Sequence, residues 1–427
     1  MEKIDVLLGL QWGDEGKGKV VDVLTPAYGI VARFQGGPNA GHTLEINGSK
    51  HVLRSIPSGV FQPDTVNVIG NGVVLDPELL ALEASELEKA GVDLQKVLRI
   101  SRKAHLIMPT HRLLDAANEA AKGASKIGTT GKGIGPTYTD KVSRYGLRVG
   151  DLELDFENRY RNARDRHLNI LRQMNFPLPG DFDAMEQRWL QAAASLRRYE
   201  LCDTDWLIND ALREGKKVLA EGAQGTMLDV DFGSYPFVTS SNTVSAGACI
   251  GLGVAPKHIG EVYGIFKAYC TRVGAGPFPT ELFTADGKTL CDRGHEYGAV
   301  TGRQRRCGWI DLVALRHAIQ VNGVTKLIMM KSDVLDTFPI IRACVAYDIE
   351  GRGRTDRFPY DASALNIKPV YEELPGWQQD MTTAKSPEDF PENFRNYMKY
   401  LEEKLEVPIA IVSVGPDRLQ TIKMSDF

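Results

Sequence analysis

Short apolar runs alternate with amphipathic stretches along the whole chain. Residues 4–8 are apolar at all but one position and lead into glycines, which predicts a buried strand feeding a Gly-rich turn. Residues 20–24 then predict a helix ending before Pro26. Asp76 and Pro77 supply an N-cap and a first-turn proline for a helix with Leu80, Ala84 and Leu87 on one face and Gly91 as its stop. Asp311 opens another helix, with Leu312, Leu315 and Ile319 facing inward and Gly323 at its end, and 326–330 follows as a strand. Phe394, Tyr397, Met398, Leu401 and Leu405 mark a last helix, and 407–414 a last strand. Strands alternating with helices predict an α/β fold with one large, mostly parallel central sheet flanked by helices. The stretch 151–213 is charged and helix-like without strand signals, so it is expected as a helical insertion in a single domain spanning 1–427.

The bulk numbers narrow the function classes. The chain is 43% hydrophobic and 25% charged, an ordinary globular balance able to build a large core. With 51 basic against 55 acidic residues there is no overall basic field to hold nucleic acid, so an anionic ligand must be met by local clusters. The six cysteines form no C-x-x-C pair, which argues against structural zinc and for reduced thiols. No secretory leader and no apolar run of the ~20 residues needed to span a bilayer is present, so a cytoplasmic protein is expected.

The chemistry gathers in glycine-rich stretches. QWGDEGKGK at 11–19 resembles a phosphate-binding loop with changes: Gln11 stands where its first glycine belongs, Gly18 where its magnesium-binding hydroxyl belongs, and Asp14-Glu15 is inserted. Gly13, Gly16 and Gly18 let backbone N–H groups approach an anion, and Lys17 and Lys19 supply charge. The acids fit a divalent cation or a proton acceptor. RFQGGPNAGHT at 33–43 adds Asn39, Ala40, Gly41, His42 and Thr43, and 127–144 adds a Gly-rich loop. Gln224, Thr239, Ser240, Ser241 and Asn242 are neutral hydrogen-bonders suited to a heterocycle or a phosphate oxygen. Arg303, Arg305 and Arg306 crowd one loop with donors for carboxylate or phosphate. Lys331, Ser332 and Asp333 follow a buried strand, where a carboxylate can accept the N1–H and amine of guanine and reject adenine. Several anionic ligands bound together point to a GTP-dependent ligase on a P-loop-NTPase-like sheet with helical subdomain insertions.

The ordered set QWGDEGKGK, NAGHT at 39–43, IGNGVVL at 69–75, GTTGKGIGP at 128–136, EGAQGT at 221–226, VTSSNT at 238–243, TGRQRRCGW at 301–309, KSD at 331–333 and SVGPDR at 413–418 closely resembles the adenylosuccinate synthetase family from end to end. The resemblance implies ligation of L-aspartate to IMP with GTP, through a 6-phosphoryl-IMP intermediate, as the first committed step of AMP synthesis. It implies Asp14 as the base that takes the N1 proton of IMP and His42 on the transferring phosphoryl group. One Mg2+ per subunit would lie on Asp14 and Gly41. GTP would meet Gly13, Asp14, Glu15, Gly16, Lys17, Gly18, Lys19, Gly41, His42, Thr43, Arg305, Lys331, Ser332, Asp333, Ser413, Val414 and Gly415. IMP would meet Asp14, Glu15, Gly16, Lys17, Asn39, Ala40, Gly41, His42, Thr130, Gln224, Thr239 and Arg303, with Arg144 contributed across a homodimer interface. Aspartate would meet Ala299, Val300, Thr301, Gly302, Arg303, Gln304 and Arg305.

Two positions depart from the family's T-T-G-R-P-R-R pattern. Val300 lacks a hydroxyl that would meet aspartate, and Gln304 lacks the proline that would stiffen the loop. Weaker aspartate binding is expected, by about one hydrogen bond, ~0.5–1.5 kcal/mol. The competing readings are a purine sensor on a retired ligase scaffold and a GTP-dependent kinase of the purine oxygen.

Overall fold

The computed structural model describes residues 2–46, 49–123, 126–297 and 304–424. Ten strands form the central sheet: β1 (Ile4–Gly9), β2 (Ile30–Arg33), β3 (Val66–Ile69), β4 (Leu98–Ser101), β5 (Glu200–Cys202), β6 (Val218–Glu221), β7 (Ile259–Lys267), β8 (Lys326–Met330), β9 (Ile409–Ser413) and β10 (Thr421–Lys423). Their order across the sheet is β10-β9-β8-β7-β1-β6-β2-β3-β4-β5. Every neighbouring pair is parallel except β9 with the edge strand β10. Parallel strands are covered on both faces. Ile4, Val6 and Leu8 of β1 therefore face one core and Leu7 another, where the helix Lys17–Leu24 lays Val20, Val21 and Leu24 against β1, β2, β6 and β8. Each such aliphatic side chain contributes about 1.5–3 kcal/mol when fully buried.

The predicted helix ends are present with the expected chemistry. Asp76 Oδ1 accepts from the N–H groups of Glu78 and Leu79 at the start of Pro77–Lys89. Asp311 Oδ1 accepts from Val313 and Ala314, both at 3.1 Å, at the start of Leu312–Asn322. The stretch 151–213 is mainly helical, with Phe156–Gln173, Phe182–Ser195 and Thr204–Arg213. It is not free of strand, however. Glu200–Cys202 forms β5 at the sheet edge, parallel to β4 and held there partly by Arg99 and Glu200 at 2.6 Å. A three-residue edge strand with one fully apolar position has too little pattern to be read from sequence.

The carboxyl ends of the central strands lie side by side, so the loops that leave them converge. Buried charge occurs there: Arg33 ends β2, Glu221 ends β6 and Lys267 ends β7, with relative exposures of 1%, 0% and 0%. Full burial of three charged residues at neighbouring strand ends needs a local reason, since unpaired charge is costly away from water. Among the described residues no helix is long and apolar enough to cross a membrane.

Candidate active site

The 11–19 loop leaves β1 and is braced from within. Glu15 is buried. Its Oε1 accepts from Gln11 N at 3.1 Å and Gly13 N at 2.9 Å, and its Oε2 pairs with Lys17 Nζ at 2.5 Å. Lys17 Nζ also donates to the Gln224 carbonyl. The Gln11 side chain reaches β7: Nε2 donates to the Lys267 and Tyr269 carbonyls, and Oε1 accepts from Lys267 N at 3.0 Å. Gln11 is thus a strap between two strand ends. In the ligand-free fold the carboxylate of Glu15 is an internal strut. Asp14, one residue earlier, takes φ 61° and turns its half-exposed carboxylate outward.

Gly18 explains itself by what lies over it. A Cβ there would stand 2.9 Å from the Cβ of His42, closer than real contacts allow. The position that carries a hydroxyl in a P-loop is closed to any side chain by the close approach of residue 42. His42 is buried, with Nδ1 at 2.5 Å from Glu221 Oε1. Glu221 also accepts from Ser58 N at 2.8 Å and Ser58 Oγ at 2.6 Å, with Arg33 nearby at 4.0 Å. Hydrogen bonds and the adjacent cationic groups outweigh burial and hold the Glu221 carboxyl below its usual range, so it is ionised. An ionised carboxylate only accepts, so Nδ1 carries the proton. Burial, and then Arg33, push the His42 pKa below 6.5 despite Glu221. The ring is therefore neutral near pH 7, and its buried Nε2 has no hydrogen-bond partner among the described residues.

On the opposite side of the loop lie the strand ends of β8 and β9. Lys19 Nζ donates to Ser413 Oγ at 2.8 Å, the Gly415 carbonyl at 2.7 Å and the Gln420 carbonyl at 3.2 Å. In the ligand-free fold its ammonium braces the 413–415 turn. Burial lowers its pKa to about 8 against the pull of Asp333 and Asp417. Ser332 Oγ donates to the Ser413 carbonyl at 2.9 Å, joining the two turns. Asp333 is half-buried, its pKa raised by burial, and no other described residue donates to its carboxylate. Arg305 Nε lies 2.7 Å from Asp14 Oδ2, and its Nη1 lies 2.8 Å from Glu296 Oε2. Two residues expected among the GTP ligands here meet each other.

The remaining candidates ring this centre. Gln224, at φ 57°, donates to Asn39 Oδ1 at 3.2 Å, and its buried Oε1 has no partner among the described residues. Lys132 Nζ donates to the Pro38 carbonyl at 3.0 Å, tying the 128–133 loop to the 36–41 loop, and leaves Thr130 exposed. Thr239 is half-buried, its N–H bonded to the Leu228 carbonyl. Arg144 caps the helix Ile134–Ser143, exposed and without an ion pair among the described residues. Ala299, Val300, Thr301, Gly302 and Arg303 lie outside the described residues. Gln304 is held where proline was expected to stiffen: its Nε2 donates to Cys291 Sγ at 3.3 Å, and its backbone bridges Tyr297. Among the described residues one cluster has metal-like spacing, His111, Asp140 and His167. Its nitrogens are already engaged, by Met108 N and Asp140 for His111 and by Thr110 and Asp140 for His167, so it is a structural network.

Glu221 and Glu296 escaped the sequence reading. A glutamate ending an apolar strand is a faint signal for Glu221; Glu296 has none.

Comparison with known proteins agrees with this geometry. A family model described as adenylosuccinate synthetase matches residues 6–422. Curated relatives of that name include one from Porphyromonas gingivalis, 69% identical over 422 residues and covering 99% of each chain. Another, from Bacteroides thetaiotaomicron, is 65% identical over 421 residues, again covering 99% of each. A solved structure of fully ligated adenylosuccinate synthetase from Plasmodium falciparum is similar with a TM-score of 0.92 and 37% identity, covering 99% of this chain and 100% of that one.

Proposed function

The chain belongs to the adenylosuccinate synthetase family, and from that premise we propose how its residues divide the reaction. The enzyme is a ligase of AMP biosynthesis that joins L-aspartate to IMP at the expense of GTP, giving adenylosuccinate, GDP and phosphate. The observation that carries the division of labour is the pair of opposite faces on one loop. Asp14 faces outward, and Gly18 lies against residue 42, a histidine whose Nε2 has no partner among the described residues.

In this reading Asp333 accepts from the guanine edge, while Lys331, Ser332, Ser413, Val414 and Gly415 frame the base. Backbone N–H groups of 13–18 and the turn at 41–43 hold the phosphates. Asn39, Ala40, Thr130, Gln224, Thr239 and Arg303 hold IMP, and Gln224 Oε1 is a free acceptor for it. Asp14 takes the N1 proton of IMP as O6 attacks the γ-phosphorus. O6 then leaves C6 as phosphate when the aspartate amine displaces it. Residues 299–305 close on the aspartate carboxylates. His42 meets charge on the transferring phosphoryl group, with Glu221 fixing ring and tautomer.

Arg305 must release Asp14 before that carboxylate meets its ligands. Hard oxygen donors suit magnesium, and Asp14 fits because it is the loop carboxylate not consumed internally. Asp14 and the Gly41 carbonyl would hold one Mg2+ per subunit, which supplies charge screening for the triphosphate. Exposed Val142 and Tyr145 flank Arg144, which favours a homodimer in which Arg144 reaches the second copy's IMP. The six free thiols favour a cytoplasmic setting. We take the chain as one domain carrying the 151–213 insertion.

The test omits GTP, IMP and aspartate one at a time from the purified enzyme with magnesium. Adenylosuccinate should form only with all three. Formation of GDP and a phosphorylated IMP at full rate without aspartate would instead support a purine-oxygen kinase.

A further inference from the structure

Glu296 follows the helix Ala285–Gly294 and is 0% exposed. Its Oε1 accepts from Tyr269 Oη at 2.5 Å, Lys267 Nζ at 2.8 Å and Lys331 Nζ at 2.9 Å, and its Oε2 accepts from Arg305 Nη1 at 2.8 Å. Its main chain holds the same arginine, since Arg305 N donates to the Glu296 carbonyl at 2.8 Å. Lys331 has a second bond in this segment, to the Gly294 carbonyl at 2.6 Å. Burial alone would raise the Glu296 pKa; Lys267, Lys331 and Arg305 outweigh it and hold the carboxyl well below its usual range.

Two residues of the substrate machinery therefore end on one buried carboxylate. Lys331 opens the guanine turn, and Arg305 roots the aspartate loop. Neither cation can shift without altering the balance felt by the other, because a buried charge left without its partner is strongly disfavoured. Arg305 is also two-handed. Nε holds Asp14 while Nη1 holds Glu296, so a substrate carboxylate can take the first contact and leave the second as a pivot. Coupling between sites needs such a shared physical element, and it acts equally in both directions.

We infer that Glu296 is a positioning residue that couples the guanine pocket to the aspartate loop, so that filling one site raises affinity at the other. The inference rests on assigning guanine to 331–333 and aspartate to 299–305.

The experiment measures the affinity of a non-hydrolysable GTP analogue, with IMP and magnesium present, without and with saturating aspartate. In the native enzyme aspartate should tighten the analogue by about fivefold or more. Glu296→Gln should bring that ratio to near one and leave IMP affinity within about twofold. Tyr269→Phe removes a donor that reaches neither site and should keep the native ratio, even if it lowers Tm. Should Glu296→Gln fail to fold, Glu296→Asp decides: it keeps the charge, but a side chain shorter by one methylene cannot serve both Lys331 and Arg305, so the ratio should fall by at least about half. A native ratio of one, or a folded Glu296 variant with the native ratio, overturns the inference. Asp333→Asn tests the premise separately. Unchanged analogue affinity there would reject the guanine assignment, whereas lost affinity with an intact Glu296→Gln ratio would reject the coupling alone.

Discussion

Glu221 and Glu296 stand beneath the two ends of the same site, and they are built to different purposes. Glu221 gives one carboxylate to one functional ring, His42, with Ser58 completing its shell. Glu296 spreads its two oxygens over four donors from three segments. The first arrangement fixes orientation and tautomer, which matters when charge develops in the transition state. The second ties together groups that we propose bind whole substrates. The contrast teaches that two fully buried glutamates, alike in exposure, need not fail alike. Loss of Glu221 should be felt in kcat, and loss of Glu296 in binding.

Five outcomes break or sharpen that contrast. The largest effect belongs to Asp14, which lies between the two ends. Asp14→Asn should lower kcat by about 10²–10⁴, the usual worth of general acid–base catalysis, with far less change in GTP affinity. Steady-state assays retaining most of kcat would remove Asp14 as the base. Next come the parts of the Glu221 end. His42→Asn should reduce kcat by about 10²–10³. Glu221→Gln should reduce it by about 10–100-fold while KM for each substrate moves little. A KM effect without a kcat effect at Glu221 would erase the distinction from Glu296.

Protonation gives a subtler probe. The His42 pKa lies below 6.5 in the ligand-free fold, chiefly through burial. Its Nε2 has a lone pair and no proton to offer phosphate, so the arriving triphosphate charge should draw one in. Between the free and bound pKa values binding takes up a proton, and GTP affinity should rise as pH falls through that window. Calorimetry in buffers of different ionisation enthalpy should register the uptake, and His42→Asn should lose it. The sign for folding is opposite. A histidine with a lowered folded pKa binds fewer protons folded than unfolded, so its contribution is complete above 6.5 and is lost as pH falls below it. The smallest effect is at the aspartate loop: Val300→Thr should lower the aspartate KM by about 2–10-fold, one hydrogen bond's worth. An unchanged KM would show that Val300 does not limit aspartate binding.

The fold was legible where signals are local. Asp76 and Asp311 cap helices as their spacing predicts, and the strand Lys326–Met330 ends where the apolar run ends. The loops that gather at the strand ends were legible because glycine and charge crowd into short stretches. Side-chain direction was not. Lys17 and Lys19 look alike in sequence, yet one closes on Glu15 and Gln224 and the other braces the turn at 413–415. Glu15 looked like Asp14 until the φ of 61° at Asp14 separated them. Glu296 stayed hidden because Lys267, Arg305 and Lys331 reach it from separate elements that only the folded sheet brings together.

The contact between Gly18 and His42 also constrains how such a loop can change over generations. Any Cβ at 18 would fall 2.9 Å from the Cβ at 42, an atom that every residue but glycine carries. A side chain at 18 therefore competes with any side chain at 42, histidine or not. A lineage crossing between a serine-type phosphate loop and this one must shift the backbone of one turn or pass through glycine at both positions. The two designs are separated by a valley, and their glycines mark which side a sequence is on.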